Sequence, residues 1–143
     1  MKQKTIETAK PLASKIMANT KKSLGFVPNM YGLMANNPAL LDSYTHSYHT
    51  FRENAGFTTI EQEVIFLSVA YENNCDYCMA ALSFVADKMS KFPEEVTNAI
   101  REGKKITDAK LNALNLFTKL MTKNRGFTSN VEIDAFLNAG YTT

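Results

Sequence analysis

The two cysteines of the chain, Cys75 and Cys78, are separated by two residues. Cysteines at this spacing can face each other across one helical turn and close a small disulfide ring, which opens and forms readily when a sulfur is reachable as a thiolate. Asn74 is a favourable N-cap, so the pattern predicts Cys75 in the first turn of a helix and Cys78 one turn further along. The positive end of the helix would stabilise a thiolate there, and Asp76 in the same turn would oppose that effect. The pair is typical of either a redox centre or half of a zinc site.

A candidate acid–base residue, Glu63, lies upstream of this pair. Thr58-Thr59-Ile60-Glu61 fits a capping box and predicts a helix that contains Glu63. At about 100° per residue, Glu63 falls within the apolar stripe of that helix, which is formed by Ile60, Val64, Phe66, Leu67, Ala70 and Tyr71. The opposite face is predicted to hold Glu61, Gln62, Ser68 and Glu72. Since carboxylates are seldom buried without a partner or a task, Glu63 either has a functional role or reaches solvent or a lysine.

The composition is that of an ordinary globular protein. The chain has 143 residues, of which 45% are hydrophobic and 21% are charged, and its formal charge is +2. The length predicts one domain over residues 1–143, and the small charge argues against nucleic acid as a partner. The N-terminus lacks an apolar signal core and no segment approaches a membrane span, so we expect a protein of the reducing cytoplasm. In that compartment a close cysteine pair is more often catalytic or metal-binding than structural.

The hydrophobic pattern predicts an all-α fold, because no run alternates apolar and polar residues as a half-buried strand would. The first helix is expected over 6–18, where Pro11 marks either its start or a kink. The next three are expected over 30–35, from Asn37-Pro38 to near Gly56, and from the capping box at Thr58 onward. Further helices are expected over 79–88, from Pro93 to near Gly103, from Thr107 or Asp108, and from Ser129 to Gly140. The methionine and aromatic stripes are interpreted as core.

Two other chemistries compete for the cysteine pair. His46 and His49 could complete a tetrahedral zinc site. Structural zinc sites, however, usually space their histidines by three to five residues and place them after the cysteines, so we expect no metal here. A thioredoxin-type oxidoreductase requires strands around its cysteines, and the sequence predicts none.

The spacing between the carboxylate and the cysteine pair resembles a known family signature. It consists of Glu63, eleven intervening residues and then Cys75-Asp76-Tyr77-Cys78, and it resembles the signature of the alkylhydroperoxidase D and carboxymuconolactone decarboxylase superfamily. The resemblance extends to residues 24–29, 38–41 and 57–63 and covers most of the chain. It implies an all-helical fold, assembly as trimers or hexamers, and, for members with the cysteine pair, a thiol peroxidase that needs no cofactor. Many relatives continue into another helix after the equivalent of Gly140-Tyr141, so the domain is expected to lack that helix.

The resemblance also assigns roles to individual residues. Cys78 resembles the peroxidatic cysteine, Cys75 the resolving cysteine and Glu63 the carboxylate of a proton relay, although helix position alone would favour Cys75 as the more activated thiol. The family motif has a histidine one turn after the second cysteine, and this chain has Leu82. The relay is therefore expected to be broken, or to run through water, Tyr77 or Ser83.

The function expected from this resemblance is that of a thiol-dependent peroxidase or disulfide oxidoreductase of antioxidant defence, weakened by the loss of the relay histidine. Its partners would be a peroxide substrate and a disulfide-reducing protein or small dithiol donor. Two alternatives are open. One is a redox-responsive or structural oligomer that has lost turnover, and the other is a non-redox lyase of the carboxymuconolactone decarboxylase type.

Overall fold

The computed structural model describes residues 1–88, 90 and 92–142, and the regular structure of these residues is entirely α-helical. The all-α prediction is confirmed. In chain order the helices are α1 (Pro11–Leu24), α2 (Asn29–Met34), α3 (Pro38–Asn54), α4 (Thr59–Glu72), α5 (Asp76–Lys88), α6 (Glu94–Arg101), α7 (Ala109–Lys123) and α8 (Asn130–Asn138). None of these helices combines the length and the apolarity that crossing a membrane requires.

The chain forms two compact units, Met1–Gly56 and Phe57–Thr143. In the first unit α1 and α2 both pack against α3. Its core contains Ala13, Met17, Tyr31, Ala35 and Leu41.

Pro11 is the first residue of α1, so it starts the helix and does not kink it. A proline fits this position because its missing N–H would have no intrahelical partner there. The helix then runs to Leu24, further than the predicted residue 18, and ends at Gly25 in the left-handed conformation, with φ of 83°. The prediction therefore began this helix too early and ended it too early.

In the second unit α4 is the central helix, because α5, α6 and α7 all pack against it, and α8 packs against α7. The core of this unit collects apolar side chains from α4, α5, α6 and α7 and from segments outside the helices: Val64, Leu67, Ala86, Phe92, Val96, Ile100, Ile106, Leu114 and Tyr141.

The predicted faces of α4 need correction. Ile60 and Tyr71, expected in the buried stripe, are 39% and 37% exposed, whereas Glu61, Gln62 and Ser68, expected on the other side, are buried. The cause is that three helices surround α4, so burial extends beyond one apolar face. The buried polar side chains have hydrogen-bond partners. The Gln62 amide donates to the Phe57 carbonyl at 2.9 Å, and the Ser68 hydroxyl lies 2.6 Å from the Val64 carbonyl.

Candidate functional site

Cys75 and Cys78 are joined by a disulfide at the start of α5. Their Cα atoms are 5.2 Å apart, within the range that a disulfide requires. Both residues are partly exposed. Thiol–disulfide exchange with a molecule in solution requires a disulfide near the surface, and the partial exposure of both residues is consistent with that requirement.

The connection between α4 and α5 is a Schellman motif. Asn74 has φ of 49°, in the left-handed region, and its N–H donates to the Tyr71 carbonyl at 3.0 Å. The Cys75 N–H donates to the Ala70 carbonyl, also at 3.0 Å. These are the two hydrogen bonds of the motif, and asparagine is the usual replacement for glycine at its left-handed position. The prediction that Asn74 is the N-cap of the cysteine helix is therefore wrong, because Asn74 ends α4.

Cys75 itself caps α5. Its Sγ accepts a hydrogen bond from the Cys78 N–H at 3.3 Å, and its carbonyl accepts from the Met79 N–H at 2.8 Å. Helix α5 begins at Asp76, so Cys75 precedes the first turn in which the sequence had placed it. The Cys75 sulfur therefore lies at the positive end of the helix and beside a backbone donor, and both features favour negative charge on that sulfur.

Glu63 is fully buried, as its place in the stripe predicted. The Ser90 hydroxyl donates a hydrogen bond of 2.7 Å to Glu63 Oε1. The sequence analysis missed Ser90, because it lies 27 positions from Glu63 and the contact depends on the packing of α4 against the end of α5.

The carboxylate of Glu63 and the disulfide lie at opposite ends of α5. The Ser90 N–H donates to the Val85 carbonyl at 3.0 Å, which places Ser90 against the last turns of the helix. Val85 is seven residues beyond Cys78, and a rise of about 1.5 Å per residue makes this about 10 Å along the helix axis. The hydrogen bond between Glu63 and Ser90 therefore lies near the end of α5 that is remote from Cys78.

Leu82 occupies the intermediate position on α5, one turn after Cys78. It is half-buried and packs, together with Met79, against the core of the second unit. A leucine has neither a donor nor an acceptor, so its side chain contributes packing at this position and no path for a proton.

Two other candidates for the proton path, Tyr77 and Ser83, differ in environment. Tyr77 is 45% exposed, on the outer side of α5. Ser83 is buried, and its hydroxyl has no hydrogen-bond partner in the described part of the chain. A buried hydroxyl in that state destabilises the fold relative to a bonded one.

The histidines of the zinc alternative lie in the first unit, on α3, whereas the cysteines lie in the second. His46 and His49 are exposed, and the His49 ring packs edge-on against Tyr48 with their centroids 5.8 Å apart. No group of three or more His, Cys, Asp or Glu residues that could hold a metal occurs within residues 1–88, 90 and 92–142.

A lysine that the sequence did not single out lies at the end of α4 that leads to the cysteines. Lys119 of α7 places its Nζ 4.0 Å from the centroid of the Tyr71 ring. Burial lowers the pKa of Lys119, and the negative charge of Glu72 partly offsets this. Gly103 also lies close to Tyr71: it has φ of 68°, and a Cβ at that position would collide with the tyrosine hydroxyl. Through Lys119 and Gly103, α7 and the segment that follows α6 both contact Tyr71 in the last turn of α4.

The other buried carboxylate of α4, Glu61, belongs to the capping box that the sequence predicted. Its Oε2 accepts from the Thr58 N–H at 2.9 Å, and its Oε1 lies 3.2 Å from Lys110 Nζ. Burial alone would raise the pKa of Glu61, but the hydrogen bonds from Thr58 and the charge of Lys110 outweigh it and lower the pKa. The Lys110 ammonium also lies over the Tyr141 ring, at 4.6 Å from its centroid. Glu61 therefore has a structural role.

No protein-family model matches the sequence, and no match was found among curated proteins. Solved structures do match. One is described as an alkylhydroperoxidase AhpD core, an uncharacterized peroxidase-related protein from Ralstonia eutropha JMP134. It superposes with a TM-score of 0.85 at 19% identity, over 99% of this chain and 76% of that one.

A second matching structure is an uncharacterized peroxidase-related protein from Silicibacter sp. TM1040. It gives a TM-score of 0.76 at 22% identity, over 94% of this chain and 73% of that one. The chain therefore has the AhpD-like all-α fold. The resemblance found in the sequence is confirmed at the level of the fold, and identities of this size carry it no further.

Proposed function

We propose that the chain is a member of the AhpD-like family with a CxxC pair, and that it acts as a thiol-dependent peroxidase or disulfide oxidoreductase. The observation that carries the proposal is the Cys75–Cys78 disulfide at the start of α5, with the Cys78 N–H directed at Cys75 Sγ. This arrangement supplies an accessible disulfide and a stabilised thiolate, the two elements that a dithiol cycle needs.

In the oxidative half of the proposed cycle, the Cys78 thiolate attacks the terminal oxygen of a peroxide. The O–O bond breaks, the alcohol or water leaves after taking up a proton, and Cys78 becomes a sulfenic acid. The Cys75 thiolate then attacks the sulfur of Cys78, and the sulfenic oxygen leaves as water. The peroxide has gained two electrons and the cysteine pair has lost them.

In the reductive half, a thiolate of a dithiol donor attacks Cys78 Sγ and the Cys75 sulfur leaves. Cys75 is the better leaving group, because the Cys78 N–H and the helix start stabilise its thiolate, and leaving-group stability accelerates exchange. The second thiol of the donor then releases Cys78. The donor is a disulfide-reducing protein or a small dithiol, so the cycle belongs in a reducing compartment such as the cytoplasm.

The peroxide step should be slow in this protein. We propose that Glu63 is the carboxylate of a proton relay whose middle member is absent, since Leu82 cannot carry a proton and Glu63 binds Ser90 at the far end of α5. Loss of one positioned acid–base group typically costs about 10²–10⁴-fold in rate. Tyr77, Ser83 and water are the remaining candidates for moving the proton.

The position of Leu82 also favours a second function, a redox-responsive or structural oligomer that keeps the disulfide without turnover. A non-redox lyase would leave the cysteine pair without a role.

We propose that the protein is a homo-oligomer, a trimer or a hexamer, because large apolar side chains such as Leu33, Leu40, Ile60, Leu116 and Phe127 are exposed in the single chain. A monomer by light scattering across a wide concentration range would contradict the oligomer.

Peroxide consumption with dithiothreitol as donor separates these functions. A peroxidase consumes peroxide in proportion to enzyme concentration. The Cys78→Ser variant does not sustain turnover, because it lacks the attacking thiolate, and the Cys75→Ser variant no longer forms the intramolecular disulfide. A redox-responsive oligomer forms and opens the disulfide without sustained consumption. If neither consumption nor reversible formation of the Cys75–Cys78 bond is observed, the dithiol proposal is wrong.

A further inference from the structure

We propose that α7 is a contact between two copies of this chain, in which two α7 helices pair antiparallel about a two-fold axis at Leu116. The proposal rests on the homo-oligomer proposed above, and it adds which surface associates and with which symmetry. A hexamer built from two trimers contains such two-fold axes, whereas a trimer alone does not. The proposal therefore selects the hexamer.

The most exposed large apolar side chains of the second unit lie on α7, on α8 and in the segment between them. Leu116, Phe127 and Val131 are 58%, 81% and 77% exposed, and among the described residues Met1 is the one large apolar side chain that exceeds them. None of the nine residues of α8, all of which the structure describes, is buried. Yet α8 contains several apolar residues: Val131, Ile133, Ala135, Phe136 and Leu137. A helix of this composition normally packs against more than one neighbour, so this side of the unit is suited to a contact with another chain.

A groove of about 320 Å³ runs between α7 and α8. Apart from Glu132, the residues that line it are apolar: Ala113, Leu116, Phe117, Leu120, Ala135 and Phe136. The rings of Phe117 and Phe136 are stacked, with their centroids 4.2 Å apart, so the groove is formed by side chains that are already packed against each other. It can therefore accept an apolar side chain of a second copy without rearrangement.

The position of Leu116 on α7 defines the symmetry. Leu116 is the central residue of this 15-residue helix, with Ala109 and Lys123 at its two ends. All three residues are exposed, and their spacing of seven places them on one side of the helix. With a rise of about 1.5 Å per residue, the two ends lie about 10 Å on either side of Leu116. A two-fold axis at Leu116 therefore places Leu116 against its own copy, and Ala109 level with Lys123 of the second copy.

The charges at the ends of α7 match this antiparallel arrangement. The exposed N-cap, Asp108, precedes the helix, and the exposed Lys123 and Arg125 lie at its other end. Antiparallel pairing brings the acidic end of each copy level with the basic end of the other, and it also opposes the two helix dipoles. Lys110, in the first turn, is already paired with Glu61 at 3.2 Å. Exposed ion pairs contribute little affinity, so these charges fix the orientation and the apolar surface supplies the affinity.

These features identify a second copy as the occupant of the groove. An isologous contact requires a surface that is complementary to itself. This surface carries a projecting Leu116 beside an apolar groove, and opposite charges at equal distances from that residue. Each element of the surface thus finds its complement on the same surface of a second chain.

Light scattering of the full-length protein tests the assembly. The wild type should be a hexamer, and Leu116→Gln should give half that mass, a trimer. Leu40→Gln is the matched control, because Leu40 is 51% exposed but lies on α3 in the first unit, and it should not produce a trimer. A trimeric wild type, or a Leu116→Gln variant that remains a hexamer, overturns the proposal. A monomeric wild type would contradict the homo-oligomer itself.

Cross-linking tests the two-fold axis directly, in the Cys75→Ser/Cys78→Ser background. A residue on a two-fold axis meets its own copy, so Leu116→Cys should form an intermolecular disulfide on mild oxidation. A non-reducing gel should then show twice the mass of one chain. Leu40→Cys in the same background is the control and should remain a single chain. The proposal is overturned if Leu116→Cys does not cross-link, or if Leu40→Cys does so equally well.

The antiparallel register has its own test. Ala109→Cys and Lys123→Cys, co-expressed as two chains in this background, should cross-link to each other, and each variant expressed alone should not. Cross-linking of either variant with itself as readily as with the other would overturn the register. Failure of the dithiol cycle is a separate result, since it is measured as peroxide consumption by the wild type.

Discussion

The two ends of α5 are built in opposite ways. At its N-terminal end the Cys75–Cys78 disulfide is partly exposed, and it is held by backbone hydrogen bonds from α4 and from the helix itself. At its C-terminal end the Glu63 carboxylate is fully buried and is bound by the Ser90 hydroxyl. The first end is suited to exchange with molecules in solution, and the second to keeping a carboxylate away from water.

The comparison suggests why the two ends would not act together as a peroxidase site: a proton must pass from the buried acid to the thiols, and that requires a group between them that can carry it. About two turns of helix separate them, and the residue between them, Leu82, packs into the core. Thiol–disulfide exchange needs only the N-terminal end of the helix, whereas peroxide reduction also needs a proton. The account therefore predicts that exchange and peroxide reduction respond differently to changes along α5.

The largest effect is expected from the cysteines. Cys78→Ser should reduce peroxide consumption to the uncatalysed background, because it removes the attacking thiolate. Cys75→Ser should retain the oxidation of Cys78 to a sulfenic acid but cannot form the intramolecular disulfide, so the sulfenic acid should accumulate when no thiol donor is present. Mass spectrometry of the trapped species distinguishes the two variants. If the sulfenic acid accumulates on Cys75 in Cys78→Ser instead, the roles of the two sulfurs are reversed.

The buried end of the helix can be tested with two serines. Ser90→Ala removes the hydroxyl that donates to Glu63 and should lower the free energy of unfolding by about 1–3 kcal/mol, the range for leaving a buried acceptor without its donor. Ser83→Ala is the control, because the buried Ser83 hydroxyl has no hydrogen-bond partner in the described residues. Its loss should be neutral or slightly stabilising. Equal losses in the two variants, measured by urea unfolding, would contradict the importance of the Ser90–Glu63 contact.

A smaller effect is expected at Glu61, the structural carboxylate of the same helix. Glu61→Gln weakens the capping box and the contact with Lys110, and should cost about 1 kcal/mol at neutral pH. Because the folded state lowers the pKa of Glu61 below its ordinary value of 4.5, the stabilisation is present above that pH and is lost as the pH falls through the lowered pKa.

Urea unfolding between neutral pH and pH 3 checks this prediction, with Glu132→Gln as the control. Glu132 forms the equivalent capping box with Ser129, in a more exposed setting. The difference between wild type and Glu61→Gln should shrink toward acid, and Glu132→Gln should have the smaller effect at neutral pH. A penalty for Glu61→Gln that does not change with pH would mean that its charge does not contribute.

Much of the fold could be predicted because helix starts are encoded locally. The capping box at Thr58, the helix start at Ser129 and the proline at the start of α3 lie where the sequence indicated. The errors on α4 have a different origin, since Glu61, Gln62 and Ser68 are buried by helices that follow later in the chain. The helical periodicity of the sequence identifies one apolar face of α4, but it does not show that three other helices, α5, α6 and α7, pack around it.

The cysteine pair and the burial of Glu63 could be predicted from the sequence, and the local geometry around them could not. The cysteines and the burial of Glu63 could be identified from spacing and periodicity. The left-handed Asn74 could not, because asparagine is equally suited to cap the next helix, and only the orientation of α5 decides between the two. No sequence signal indicated Ser90, since it lies outside the predicted helices and carries no motif.

The central claim is that Leu82 disconnects the buried acid from the thiols, and one double-mutant cycle tests it most directly. Peroxide reduction with dithiothreitol is measured for wild type, Leu82→His, Glu63→Gln and the double variant. We expect Leu82→His to raise the rate at least tenfold, about 1.4 kcal/mol in the barrier, because imidazole titrates near neutral pH and can pass a proton. Glu63→Gln alone should change the rate little, and in the double variant it should remove the gain. An efficient wild type that gains nothing from the histidine, or a gain that survives Glu63→Gln, would contradict the account.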